Sequence, residues 1–218
     1  MSVVDASLSD FFTSATTIIA NAQQQPEIAA ALDAFGYDAA AIQEGQTLLT
    51  AARSLYDLQI KEYGEQHGAT QAFEAACQQA DKTYAAHRKL AKVAFKNDAQ
   101  RQTDLHLNER KSQVYAPWHE QARHFYTALL ADPVAQSQLT RYKITPEALQ
   151  AALALVDQAE SLKTAQEKEK GEAQNATDQR DAALLALDNW LADFKVVARL
   201  ALADTPQLLE SLKLGAIS

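Results

Sequence analysis

KEYGEQHGAT (61–70) and KEKGEAQNAT (168–177) are the same ten-residue stretch met twice, 107 positions apart and identical at six of the ten. Working outward at that offset needs no gap. AKVAF (91–95) falls on ARLAL (198–202). From Leu32 to Ala94, 20 of 63 aligned positions are identical, among them Leu48/Leu155, Leu55/Leu162, Gly64/Gly171, Asp81/Asp188 and Ala91/Ala198. Self-similarity over such a length marks a structural unit used twice. In a chain of 218 residues, two copies of about 107 account for nearly everything. We expect helical repeat 1 over 1–107 and repeat 2 over 108–218, sharing one core. No Pro/Gly/Ser linker parts them, and KNDAQRQTDLHLNERKSQ (96–113) is polar without being low in complexity.

Composition points to helix. Glycine and proline number only six and five, and Ala, Gln, Leu, Glu and Lys dominate; these side chains lose little entropy in a helix. A net charge of −8 argues against wrapping a phosphate backbone, so no nucleic-acid partner is expected. The single cysteine, Cys77, rules out an internal disulfide framework and a Cys-based metal site. Flanked by Ala75, Ala76 and Ala80, and aligned with Leu184, it reads as a small buried hydrophobe. MSVVDASLSDFF lacks the basic start and apolar run of a secretory signal, and no window approaches 18 apolar residues. A cytoplasmic location with no integral membrane segment is the expectation.

Local signals place the helices. Leu8, Phe11, Phe12, Ala15, Ile18 and Ile19 recur at spacings of three and four, as do Tyr115, Trp118, Ala122, Phe125 and Tyr126. Pro26 and Pro133 open short helices anchored by Leu32 and Leu139. In YKITPEAL (142–149), Thr145 is the expected N-cap, Pro146 the first helical residue, and Ile144 can close over Leu149. Repeat 1 uses Tyr37, Asp38 and Ile42 for the same purpose. From these caps, apolar stripes run through Ile42, Leu49, Ala52, Leu55/Tyr56, Ile60 and Tyr63, and through Leu149, Leu153, Val156, Ala159, Leu162 and Ala165. In the tail, Thr205 and Pro206 open a last helix that Gly215 ends.

The middle decides the architecture. If 64–70 and 171–177 are turns, with Gly64 and Gly68 at positive φ and Thr70 and Thr177 as caps, each repeat is a helical hairpin. The whole is then an all-α, pseudo-twofold long-helix bundle. We take this reading first, because apolar content thins toward the middle as at a wet bundle tip. The alternative is two continuous antiparallel coiled-coil helices of ~60 residues with small helical caps. A seven-residue spacing that carries through the supposed turn (42, 49, 56, 63, 70, 77, 84, 91) speaks for it.

No catalytic, cofactor-binding or metal-ligating set emerges. None of the five histidines belongs to an E-x-x-H pair, and Glu120/His124 align with Thr13/Thr17. His87, aligned with Phe194, reads as a hydrogen-bonded histidine at the core edge. Asp81 and Asp188, identical in mid-helix, either pair with a cation of the other repeat or face solvent. Glu62/Glu65 and Glu169/Glu172 among Lys61, Lys168 and Lys170 read as a salt-bridged helix surface or, with continuous helices, as a polar seam that sets register. Phosphate-binding and nucleophile motifs are missing. The expected function is therefore a non-enzymatic helical scaffold or protein–protein interaction module, able to self-associate. Tyr115, Trp118, Phe125 and Tyr126 form its candidate interaction face, unless they buttress the bundle. The alternative is a bundle holding a small ligand or metal between its two repeats. That needs a cavity where side chains shrink between repeats, as Leu184 does to Cys77 and Trp190 to Thr83.

Overall fold

Two helices of equal length carry the fold. In the computed structural model, which describes residues 3–215 (with side chains from Ser7), α3 spans Ala39–Ala94 and α7 spans Pro146–Ala201, 56 residues each. The others are short: α1 (Val3–Gln24), α2 (Pro26–Asp33), α4 (Ala99–Asp104), α5 (Tyr115–Leu130), α6 (Pro133–Thr140) and α8 (Pro206–Ser211). The described residues are all-α.

The hairpin reading is corrected here. Helix runs unbroken through 64–70 and 171–177. Gly64, Gly68 and Gly171 take ordinary helical φ, since the positive-φ glycines are Gly36 and Gly215. Thr177, expected as a cap, sits in mid-helix and donates its hydroxyl back to the Ala173 carbonyl at 2.9 Å. One glycine costs a helix about 1 kcal/mol, a small charge against 56 residues of continuous hydrogen bonding. The seven-residue spacing was the better guide. Of its eight positions in α3, only Tyr63 is exposed, at 65 %. Ile60, also expected on the buried stripe, is 52 % exposed, while Gln59 and Glu62 are half-buried in its stead.

The helix starts follow their sequence signals. Asp38 Oδ1 accepts from the Ala41 amide at 2.9 Å, and Thr145 Oγ1 from that of Ala148 at 3.2 Å. Thr205 is the exception: it stands at the N-cap of α8, but its hydroxyl donates to Leu202 O at 3.4 Å. The stops repeat at the same offset. Gly36 and Lys143 take φ of 85° and 61°, and His106 and Lys213 take 50° and 55°. At each pair the chain closes with a bond to a carbonyl five residues back: Tyr37 N to Leu32 O, Ile144 N to Leu139 O, Leu107 N to Gln102 O and Leu214 N to Leu209 O.

Contacts divide the chain into two compact units that cut across the repeat boundary. The first takes 1–63 and 172–218, the second 64–171. Each has its own cluster of buried residues, and each cluster draws on both repeats.

In the first unit, Phe12, Ile18 and Ile19 of α1 and Ile42 and Leu49 of α3 pack with Leu187, Trp190 and Phe194 of α7. Trp190 stacks on Phe194 at 5.2 Å and 15°, and Tyr37 meets Phe194 edge-on at 5.6 Å. Asn21 donates to Ser211 O at 2.6 Å, tying α8 to α1. In the second unit, Tyr84 of α3 and Phe95 just after it pack with Phe125 and Tyr126 of α5 and with Leu149 and Val156 of α7. Arg88, 7 % exposed, donates to the carbonyls of His106 and Glu109, both at 2.6 Å. That clamp folds the segment after α4 back against α3.

Candidate functional site

Several departures between the repeats fall in one place, within the second unit. Phe73, Cys77 and Asp81 lie four residues apart along one face of α3. Tyr115 and Trp118 occupy the first turn of α5, and the segment clamped by Arg88 delivers Lys111. Together with Glu74, Gln78, Ser112 and Gln113 they line an open cleft of about 330 Å³.

Asp81 organises its rim. One carboxylate oxygen, Oδ1, accepts from the Trp118 indole Nε1 at 2.8 Å and from the Lys111 ammonium. The pairing with a cation of repeat 2 is thus the form this mid-helix aspartate takes. The walls are aromatic: Tyr115 meets Phe73 edge-on at 5.1 Å and lies 5.9 Å from Trp118. Lys163 holds its Nζ 5.1 Å from the centroid of the Phe73 ring, anchored by Gln166 at 2.9 Å and Glu167 at 2.6 Å.

Two buried polar atoms here have no hydrogen-bond partner, the Tyr115 hydroxyl and His119 Nε2. Burial, then the nearby Cys77 and Glu160, push the Tyr115 phenol up to about 12. It is a neutral hydroxyl at any physiological pH. His119, 6 % exposed, has Glu160 Oε2 at 3.6 Å, too far for a hydrogen bond. Both residues line an adjoining hollow with Glu120, Glu160 and Lys163. Burial also raises the Cys77 thiol above its ordinary value, outweighing Lys163, so it stays protonated and unreactive.

Of the four aromatics expected as an interaction face, three are core. Trp118 is 5 % exposed, and Phe125 and Tyr126 are both 0 %. The α5 stripe is turned onto Tyr84, whose ring is 5.4 Å from Phe125 and 6.1 Å from Tyr126. Tyr115 alone is partly exposed, at the cleft. His87, half-buried, pairs through Nδ1 with the Tyr126 hydroxyl at 3.3 Å, and burial lowers its pKa. Glu120 points outward at 82 % exposure, whereas His124 Nε2 donates to Asp104 O at 2.7 Å. Lys61 pairs with Glu62 at 3.3 Å and Lys168 with Glu169 at 3.5 Å, and both carboxylates are half-buried.

The aligned place in the first unit is built differently. Ser7, Leu8, Phe11, Asp181, Leu184, Leu185 and Asp188 line an open hollow there. Leu184 stands for Cys77, Leu8 for Tyr115 and Phe11 for Trp118, so the aspartate persists without an indole donor. At the second departure the bulk is absorbed, because Trp190 is seated over Gly45.

Set against family models, curated proteins and solved structures, the chain matches none. The site therefore carries the functional argument on its own chemistry. Among the described residues, no helix is long and apolar enough to cross a membrane. The sequence places Phe73 on an apolar helical stripe but at no site, and Lys111 escapes it altogether. Phe73 aligns with Arg180, a departure as large as that at Cys77, and could have been found by the same comparison.

Proposed function

We propose that this chain is a small-molecule-binding helical protein, a tandem duplication in which one of two related places has become a ligand site. The observation that carries it is the aromatic-walled cleft of Phe73, Tyr115 and Trp118, with the Asp81–Lys111 pair fixed at its rim. The size, about 330 Å³, falls at the small end of ligand sites, and the mix of aromatic walls with a few fixed polar groups is their usual make-up. Matched left-handed turns at Gly36/Lys143 and His106/Lys213 support the duplication.

The test is Cys77→Leu, which installs the side chain that repeat 2 carries at the aligned position. A fragment screen followed by the Trp118 indole ¹H–¹⁵N resonance should find ligands for the native protein and lose them in the variant, with helix content unchanged. Fragments that bind Cys77→Leu equally well would place the binding elsewhere.

A second reading is the non-enzymatic scaffold with a protein partner or a second copy of itself. Val93 and Leu200, aligned in the repeats, are 54 % and 61 % exposed. Light scattering on native protein and on Val93→Ser/Leu200→Ser tests self-association through them, with a monomer in both samples counting against it.

A further inference from the structure

The chemistry of the cleft selects the charge of its ligand. Resting on the ligand-binding reading above, we infer that the site takes a small organic ammonium with an aromatic or aliphatic body.

Two features converge on a cation. The first is charge. Among the residues lining the cleft, Glu74 and Asp81 are carboxylates and Lys111 is the one ammonium, while Cys77, Tyr115, Ser112, Gln78 and Gln113 are neutral. A ligand carboxylate or phosphate would enter against a net negative lining, and a positive group with it. The second is the set of rings. Phe73, Tyr115 and Trp118 border one space, and an aromatic face attracts a cation through its quadrupole, most strongly where water is displaced. The chain already uses this attraction on itself, with the Lys163 ammonium 5.1 Å from the Phe73 ring centroid.

The place is specific to the second unit. In the aligned hollow, Asp181 and Asp188 keep the acidic character, but Leu8, Leu184 and Leu185 supply apolar side chains in place of Tyr115, Cys77 and Gln78. Phe11 is the one ring there. An acidic rim survives without the set of rings, so the first unit serves as an internal comparison for the second.

The experiment uses three probes with one body and different charge: benzylamine as its ammonium, benzyl alcohol and benzoate. Each is titrated into the full chain at neutral pH, following the Trp118 indole resonance. The expected order is benzylammonium tightest, by about tenfold or more over benzyl alcohol, with benzoate weakest. Its affinity should fall several-fold in Glu74→Gln, an exposed change remote from the core, and several-fold more in Tyr115→Leu. Benzyl alcohol or benzoate binding as tightly as benzylammonium would overturn the cation assignment and leave the cleft a ligand site. No movement of the indole resonance with any probe at millimolar concentration would overturn both readings. A shift equal in native protein and Tyr115→Leu would place the cation on the general acidic surface and overturn the assignment as well.

Discussion

Gly45 lies so close beneath the Trp190 indole that a Cβ built on it would come within 2.3 Å of the ring. The repeats trade this pair as a unit: at the aligned positions Ala152 stands for Gly45 and Thr83 for Trp190. A larger ring on one helix is matched by a smaller residue on the other. Gly45→Ala would gain about 1 kcal/mol of helix propensity but force the ring or the backbone aside, an overpacking cost of about 1–3 kcal/mol. We expect a net destabilisation of about 1 kcal/mol or more, read as a lower urea midpoint at constant m-value. The double change Gly45→Ala/Trp190→Thr should lose the clash but keep a cavity cost.

The glycines in mid-helix should behave oppositely. Gly64, Gly68 and Gly171 have nothing within 4 Å of a built Cβ and ordinary helical φ. Replacing any of them by alanine should stabilise by about 0.5–1 kcal/mol in thermal unfolding. Destabilisation at Gly64 or Gly68 would restore the turn there.

Tyr115→Phe removes a hydroxyl that the ligand-free chain leaves unpaired. Without ligand the variant should be as stable as the native protein or more so, by up to about 1 kcal/mol. A Tyr115→Phe protein clearly less stable without ligand would mean that the hydroxyl has a partner after all.

Acid should weaken the second unit before the carboxylates titrate. Burial holds the His87 pKa below its ordinary 6.5, while the unfolded chain titrates near that value. As pH falls through about 6.5, the unfolded state binds a proton that the folded state still excludes, so stability drops until pH reaches the folded pKa. Over that window the loss is bounded by about 1.4 kcal/mol per pH unit. His87→Gln keeps an acceptor for Tyr126 without the titration, and its denaturation midpoint should be flat from pH 7 to 5.5. An equal slope in both proteins would assign the effect to other groups.

The caps at Asp38 and Thr145 were legible because capping is local: a side-chain oxygen and an amide three residues on are all it needs. The repeat was legible for the same reason. The continuity of α3 was not, since Gly64 and Gly68 fit a turn as well as an exposed helix, and only the spacing of residues facing inward separates the two. Tyr63 illustrates the limit. Its aromatic ring fits the seven-residue series, yet a small drift of the buried stripe leaves it in solvent and brings Glu62 inward. The cleft was half legible. Cys77 against Leu184 marked the place, but Lys111 reaches Asp81 only because Arg88 grips the carbonyls of His106 and Glu109, a long-range arrangement with no signature in the local pattern.

The division of the chain also dictates an order of events. Residues 64–171 are contiguous, so the second unit can assemble on a nascent chain once residue 171 has emerged. The first unit is interrupted: residues 1–63 have to wait for 172–218, closing a loop of more than a hundred residues before any of its α1–α7 contacts exist. Vectorial synthesis normally lets the N-terminal body fold first. Here that order is inverted, and prior ordering of the interior segment shortens the effective loop and lowers the entropy of closing it. Phe12, Ile18 and Ile19 therefore spend the longest time uncovered, and a mutation that slows the second unit also prolongs the exposure of the first.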